Sequence, residues 1–405
     1  METVIVIGGG ASGLIAAITA SEDKSRRVIL LERQQRIGRK LLATGNGRCN
    51  LTNTGASPEN YHGEQEGFAT AALNKFTPAQ VLDFFHGMGL VTVTEYGNRV
   101  YPLSNSANSV VDVLRFALEK SGVELHCACP ARAIERRGKG YVVITDEDRL
   151  EADYVIVACG GAAGAKLGGV MDGYQLLKPL GHKRTALRPA LVQLLTAPEY
   201  PRALKGIRAD GELSLCSGGE TLCRGLGEVQ FTEKGLSGPA AFDVSRAAAC
   251  AGEGADVTIN FFRAFSPRQL MELLCRRRET FPELPASELF TGMLHNRLGR
   301  VVVSSCAIPH QTALPDLSQD QKQALARAVK AFPLPYLGSL GMDCAQVTAG
   351  GIVTREFDPE TLESRLVPGL YACGEVLDID GDCGGYNLQW AWSSGYLAGK
   401  LLTRS

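Results

Sequence analysis

Several absences bound this chain of 405 residues before any motif is read. It has twelve cysteines but no Cys-x-x-Cys pair; Cys127 and Cys129 stand two apart, Cys216 and Cys223 seven apart. That spacing offers neither a zinc framework nor a redox dithiol, and scattered cysteines usually act as small buried hydrophobes, so no metal is expected. Neither sign of charge dominates: a net charge of −1 leaves no overall basic field to gather nucleic acid or an anionic membrane. No apolar run approaches the roughly twenty residues that span a bilayer. The chain enters an apolar strand at once, without a signal-peptide pattern, and a cytoplasmic location is expected. Histidine is scarce; none of His62, His86, His126, His182, His295 and His310 lies in a motif that demands a general acid, so each is read as a surface or core residue. At 45% hydrophobic and 21% charged, the chain has the composition of a globular protein with one large or two to three ordinary domains.

What is present begins at the N-terminus. Val4 to Ile7 is an unbroken apolar run, as in a strand buried on both faces of a parallel sheet. Gly8-Gly9-Gly10-Ala11-Ser12-Gly13 follows, then the helix-forming stretch Leu14 to Ala20, then a second strand from Arg27 to Leu31 closed by Glu32. Strand, glycine turn, helix, strand and acid together make a complete dinucleotide-binding unit. Gly8 permits the turn, Gly10 lets backbone approach a pyrophosphate, and Gly13 lets helix and strand pack closely. The helix N-terminus, from Ala11 and Ser12, offers free N–H groups and a positive dipole end to phosphates. Glu32, twenty-four residues after Gly8, is placed to accept a ribose hydroxyl. Residues 33 to 53 are polar, basic and glycine-rich; Gly45, Gly47, Asn46, Asn50 and Asn53 suit turns with positive φ, and Arg39, Lys40 and Arg48 bring cations beside the cofactor.

The run GRKLLATGNGRCNLTN within that loop resembles the motif of a bacterial flavoprotein family that includes bile-acid-inducible flavoproteins and aminoacetone-oxidase-like enzymes. FTEKGLSGPAAFDVSR, from Phe231 to Arg246, and the C-terminal stretch from Val347 to Gly399 resemble it too, in the family's order. Tyr154 to Ala158 with Cys159-Gly160-Gly161 is similar to the family's alanine-threonine-glycine-glycine block, with Cys159 where threonine is usual; Asp172-Gly173-Tyr174 matches its DGY element. The resemblance implies an FAD-dependent oxidoreductase with an α/β, Rossmann-like and discontinuous FAD-binding domain. It adds to the cofactor side Arg33, Leu41, Thr44, Ala133, Ala158, Gly374 and Glu375, and the turn Gly384-Gly385-Tyr386-Asn387. That turn starts a helix through Leu388 to Leu402, whose dipole favours the negative charge of a reduced flavin ring.

The domain expectation is residues 1–187 and 341–405 for FAD binding, 188–262 for a β-rich insert and 263–340 for a small helical lobe. Thr77-Pro78 reads as a helix start, Ser109 to Lys120 as an amphipathic helix, and Val123 to Glu151 as a meander of short strands. Phe265 to Phe281 and Gln321 to Phe332 read as helices; Arg276 to Arg278 reads as a solvated face rather than a nucleic-acid patch.

No second dinucleotide unit is visible, since no acid-ended strand follows Gly160-Gly161-x-x-Gly164. The expected chemistry is hydride transfer through FAD between NAD(P)H, a transient donor, and a small organic substrate stacked on the ring beneath the insert. Alternatives are a flavoenzyme that reduces uridine in ribosomal RNA, a reaction assigned within the family, and a flavin redox or binding module without turnover. Lys40, Arg48 and Asn50 are the candidate catalytic residues; the cations either tune the flavin or merely bind phosphates. Cys49 and Cys383 are read as structural first, with approach to the flavin as the alternative. The loop Thr44 to Asn50 and the turn Cys383 to Asn387 are expected to meet at the isoalloxazine.

Overall fold

The computed structural model describes residues 1–252 and 254–403. The apolar run at the N-terminus forms the central strand Glu2–Ile7, and Val4, Ile5 and Val6 are wholly buried because both faces of the sheet are covered. The parallel sheet has five strands in the order Leu370–Ala372, Tyr154–Val157, Glu2–Ile7, Arg26–Leu31, Glu124–His126. Its strand from Leu370 comes from far down the chain, which makes the domain discontinuous. Helix Ala11–Ala20 follows the glycine turn, with nine of its ten residues buried, and packs against helix Tyr386–Gly399. Glycine sets that crossing: a Cβ on Gly395 would lie 2.3 Å from the Ser12 carbonyl oxygen, and one on Gly399 2.6 Å from that of Ala16.

The chain divides into two compact units, Met1–Arg188 with Gln346–Ser405, and Pro189–Ala345. In the first, Thr77 caps helix Pro78–Gly87 through a reciprocal box with Gln80, and Ala107–Ser121 is the amphipathic helix ending on left-handed Gly122. The run from Val123 does not act as one meander. Glu124–His126 joins the parallel sheet, while Ala133–Arg137, Gly140–Ile144 and Arg149–Ala152 form a separate antiparallel sheet. Short apolar strands look alike in sequence whichever sheet takes them up.

In the second unit, six antiparallel strands close a barrel in the order Leu194–Thr196, Gly235–Ser237, Glu220–Phe231, Arg208–Ser217, Ala255–Asn260, Phe332–Ser339. Helix Pro239–Ala251 packs on it where Gly225 lies under the Ala240 backbone, too close for a side chain. Helices Pro267–Thr280, Asn296–Ser305 and Gln319–Lys330 share one hydrophobic core with the barrel. A β-rich insert followed by a separate helical lobe is therefore not what forms: the strand after the last helix returns to close the barrel. The chain leaves and re-enters the first unit side by side, with the Thr185 N–H donating to the Gly351 carbonyl at 2.9 Å and the Gly351 N–H to Thr185 Oγ1 at 3.0 Å. No helix among the described residues is long and apolar enough to cross a membrane.

Candidate functional site

Gly8 takes φ +112°, and a Cβ there would fall 2.4 Å from the Ala158 carbonyl oxygen; one on Gly13 would fall 1.8 Å from that of Gly8. These two glycines let the strand ends and the helix interlock. Gly10 differs: a Cβ on it would meet no protein atom within 4 Å. It borders open space at the N-terminus of helix Ala11–Ala20, where no side chain caps the first-turn amides. An uncapped helix end facing a cradle that one methyl group would invade fits a pyrophosphate. Glu32, buried at the end of its strand, accepts the Gly9 N–H at 2.7 Å and the Gln34 N–H at 2.6 Å. Burial raises its pKa, against the pull of those amides. The two bonds fix the carboxylate in place, and each oxygen keeps a lone pair for a ribose hydroxyl.

The loop after it turns as its composition predicts. Gly45, Asn46, Gly47 and Cys49 all have positive φ, and a Cβ on Gly45 would lie 2.7 Å from the Asn50 nitrogen. Leu41 is buried and its carbonyl accepts the Thr44 hydroxyl at 2.7 Å. The loop meets the C-terminal turn. In the amide orientation that satisfies both ends of Asn50, its nitrogen donates to the Thr52 carbonyl at 3.2 Å and its oxygen accepts the Gly385 N–H at 3.1 Å. Asn53 Nδ2 donates to the Gly384 carbonyl at 2.9 Å. Gly385, at φ +101°, precedes helix Tyr386–Gly399, which has no side-chain cap. The Gly385 amide was expected among the donors to a flavin ring; it is taken by Asn50. The Asn387 side chain clamps the preceding turn, accepting the Gly381 N–H at 2.8 Å and donating to the Gly381 carbonyl at 2.7 Å.

Both candidate cations meet an acid. Lys40 Nζ lies 2.8 and 3.1 Å from the Glu375 carboxylate oxygens, and Glu375 also accepts the Thr348 N–H at 2.9 Å. A Cβ on Gly161 would strike Thr348 and Glu375, so Lys40, Gly161, Thr348 and Glu375 converge from four segments. Gly374, just before Glu375, sits against Ser12 on the first helix. Arg48 pairs with Glu95, donates from Nε to Asn105 Oδ1 at 2.6 Å and lies 4.0 Å over the Tyr101 ring. Arg33 pairs with Asp172 at 3.2 Å, and Arg39 donates to Gln34 at 2.8 Å, both on the surface. Ala133 opens the antiparallel sheet and is half-buried. Cys159, at the strand end before Gly160, turns its thiol to the Ile7 carbonyl at 3.5 Å, and burial raises its pKa well above the usual thiol range. Cys49 is fully buried, and desolvation pushes its thiol up to about 12. Among the described residues no cluster of three or more His, Cys, Asp or Glu could hold a metal.

Sequence reasoning passed over the pairing acid Glu95, the Thr348 amide and His62. His62 Nε2 lies 2.7 Å from Asp382 Oδ1, directly before the Cys383 to Asn387 turn. The signal available was Asp382 itself, an acid two residues before the glycine pair.

This fold and this glycine cradle define a Rossmann-type, FAD-binding oxidoreductase. The family described as HI0933-like protein Rossmann domain matches residues 2–401, and the chain belongs to it. Over 404 residues, 99% of this chain and 98% of the relative, it is 38% identical to 3-dehydro-bile acid delta(4,6)-reductase of Clostridium scindens. It is 30% identical over 401 residues, 98% of this chain and 97% of the relative, to ribosomal RNA dihydrouridine synthase of Escherichia coli. Among solved structures, 3-ketosteroid delta1-dehydrogenase from Sterolibacterium denitrificans shares the fold, with a TM-score of 0.50 and 14% identity over 99% of each chain.

Proposed function

We propose that this oxidoreductase adds two hydrogens across a carbon–carbon double bond conjugated to a carbonyl in a small organic substrate, with NADH or NADPH as electron donor. The observation that carries the reading is the meeting of Asn50 with Gly385 at the uncapped N-terminus of helix Tyr386–Gly399. Donors preorganised there suit the pyrimidine side of a flavin, where reduction places negative charge. Bound FAD supplies the hydride chemistry. The chain would hold its pyrophosphate at Gly10 to Gly13 and its ribose at Glu32, while Asn50 fixes the Gly385 turn and Asn387 braces it from behind. The names of the two relatives agree in kind, since an unsaturated 3-oxo bile acid and a uridine each carry a double bond conjugated to a carbonyl.

The RNA substrate is the second reading, supported by the relative from Escherichia coli. Against it, one arginine of the triplet is turned away from any basic face: Arg277 is spent on the Thr291 carbonyl and the Phe281 ring. Anaerobic reduction by NADH and NADPH, followed by reoxidation with cyclic enones, a uridine-containing ribosomal RNA fragment or oxygen, tests the proposal. Bleaching of the flavin by a nicotinamide donor, and its return with an enone to give the saturated ketone, is expected. Return with RNA alone, in a salt-sensitive manner, selects the second reading. Return with oxygen alone overturns both.

A further inference from the structure

One cation beside the C-terminal turn lacks a counter-charge. We propose that Arg99 anchors a carboxylate of the substrate, which narrows the substrate class to enones that join an anionic group to a hydrocarbon body; the proposal rests on the reductase reading above.

Arg99 belongs to the small sheet in which strand Arg99–Pro102 lies between Thr52–Asn53 and Thr92–Glu95. The antiparallel register sets Arg99 opposite Asn53 on one side and Glu95 on the other, and Tyr101 opposite Val93. The Leu103 N–H donates to the Val91 carbonyl at 2.8 Å and carries the pairing one step further. Side chains alternate along a strand, so Arg99, Tyr101 and Leu103 share one face with Glu95, Val93 and Val91, while Val100 is wholly buried on the other. Arg99 stands at the end of this face that meets the turn: a Cβ on Gly384 would lie 3.5 Å from Arg99 Nε and 3.6 Å from Asn53 Nδ2. Asn53 in turn holds the Gly384 carbonyl. Away from the turn the face is apolar and open, with Val93 38%, Val91 60% and Leu103 62% exposed.

The charges on this face do not cancel. Glu95 is the acid opposite Arg99, but its carboxylate is taken by Arg48, which also donates to Asn105 and covers the Tyr101 ring. Among the described residues no ion pair or hydrogen bond engages the guanidinium of the half-buried Arg99. Burial raises the Tyr101 pKa, and the two arginines only pull against that rise, so the phenol stays neutral and offers Arg99 no anion. A guanidinium held partly out of water without an acid is unfavourable. A carboxylate bound through two parallel N–H···O bonds offsets that cost and suits arginine in particular. A hydrocarbon body held at one end by Arg99 can then cover Val93, Val91 and Leu103. A single unmatched cation beside aliphatic side chains fits one anionic group on an apolar body, whereas nucleic acid calls for a row of cations.

The probes are a cyclohexenone with a carboxypentyl side chain and its methyl ester, which lacks the charge. Each is mixed with full-length, FAD-saturated wild type, Arg99→Gln, Arg99→Lys and Leu103→Ser after chemical reduction of the flavin. In wild type the KM for the acid should lie about 10- to 100-fold below that for the ester. Arg99→Gln should raise the KM of the acid to that of the ester, leaving kcat, the ester and reoxidation by ferricyanide unchanged, and Arg99→Lys should recover part of the difference. Leu103→Ser should raise the KM of both probes. Equilibrium dialysis of the acid against the oxidised protein should show the same order of affinities without turnover. Several results overturn the proposal: no preference for the acid in wild type, equal losses for acid and ester in Arg99→Gln, release of FAD from that variant, or both KM values unmoved in Leu103→Ser. An acid that does not bind while a ribosomal RNA fragment binds through Arg99 assigns the cation to phosphate and overturns it too. A wild type that no enone reoxidises overturns the reductase reading, and dialysis still decides the anchor; reoxidation by both probes with no preference for the acid overturns the anchor alone.

Discussion

Gly10 separates cofactor binding from folding at the level of one residue. Since a Cβ there meets no protein atom, Gly10→Val should leave the circular dichroism and unfolding profile intact while abolishing FAD retention, read as flavin released on denaturation. Lys40 calls for a paired experiment because Glu375 compensates it. Lys40→Met should lower the flavin potential and slow reduction by leaving the acid alone beside the site, and adding Glu375→Gln should bring both back toward wild type; potentiometry on FAD-saturated protein reads the coupling. Unchanged potentials would leave Lys40 a phosphate-binding role. His182 is a different matter. It stacks on Phe357, its Nδ1 lies 2.9 Å from Glu356 and its Nε2 3.0 Å from the Ser364 hydroxyl. Ser364 also accepts the Leu366 and Val367 amides, so its own proton goes to Nε2, and the Nδ1 proton goes to Glu356. Burial, opposed by Glu356, lowers the His182 pKa below 6.5. Below that pH the unfolded chain binds more protons than the folded one. The stability this neutral histidine contributes is therefore full above pH 6.5 and lost as pH falls through the folded pKa. Denaturant melts between pH 7.5 and 5 should show this slope, flattened in His182→Gln.

Among the elements, the crossing of Ala11–Ala20 with Tyr386–Gly399 is the most exacting. Gly395→Val would drive a side chain into the Ser12 carbonyl and should cost at least about 1–3 kcal/mol in denaturant unfolding, with weaker FAD retention, because the displaced helix carries the Gly385 turn. A retained flavin and unchanged midpoint would refute that coupling. The elements that sequence made legible share a trait: their signals are local. Val4 to Ile7, the glycine turn and Glu32 announce a dinucleotide unit, and Thr77-Pro78 announces a capped helix. The loop and turn that meet through Asn50 and Gly385 were paired by motif resemblance, and the structure supplies the bond. The pairs that escaped notice, Lys40 with Glu375 and Arg48 with Glu95, join residues far apart in sequence, where periodicity carries no information. Helix Pro239–Ala251 escaped because its buried stripe, Ala240, Ala241, Val244, Ser245 and Ala248, is mostly alanine and serine, which carry little hydrophobic signal. The barrel-closing strand Phe332–Ser339 escaped because two prolines demote it as a strand.

The whole molecule is two cores on one chain. The second unit has its own buried cluster, and its ends are neighbours: the Leu340 N–H donates to the Gln193 carbonyl at 3.1 Å, with Leu194 opposite Ser339. Residues 189–345 alone should therefore fold and melt cooperatively; a molten, non-cooperative fragment by calorimetry would show that this core borrows its stability from elsewhere. The close seating of Gly395 and Gly399 on the first helix also imposes an order of birth. The ribosome releases Glu2–Ile7 and Ala11–Ala20 before the insert but Tyr386–Gly399 only after all of it. Until then Ser12 and Ala16 lack the helix that covers them, and the nucleotide cradle waits half built while the inserted barrel is free to fold as a unit. The half of the cradle made before the insert is thus completed last, and flavin has a finished site to enter only once translation has passed Gly399.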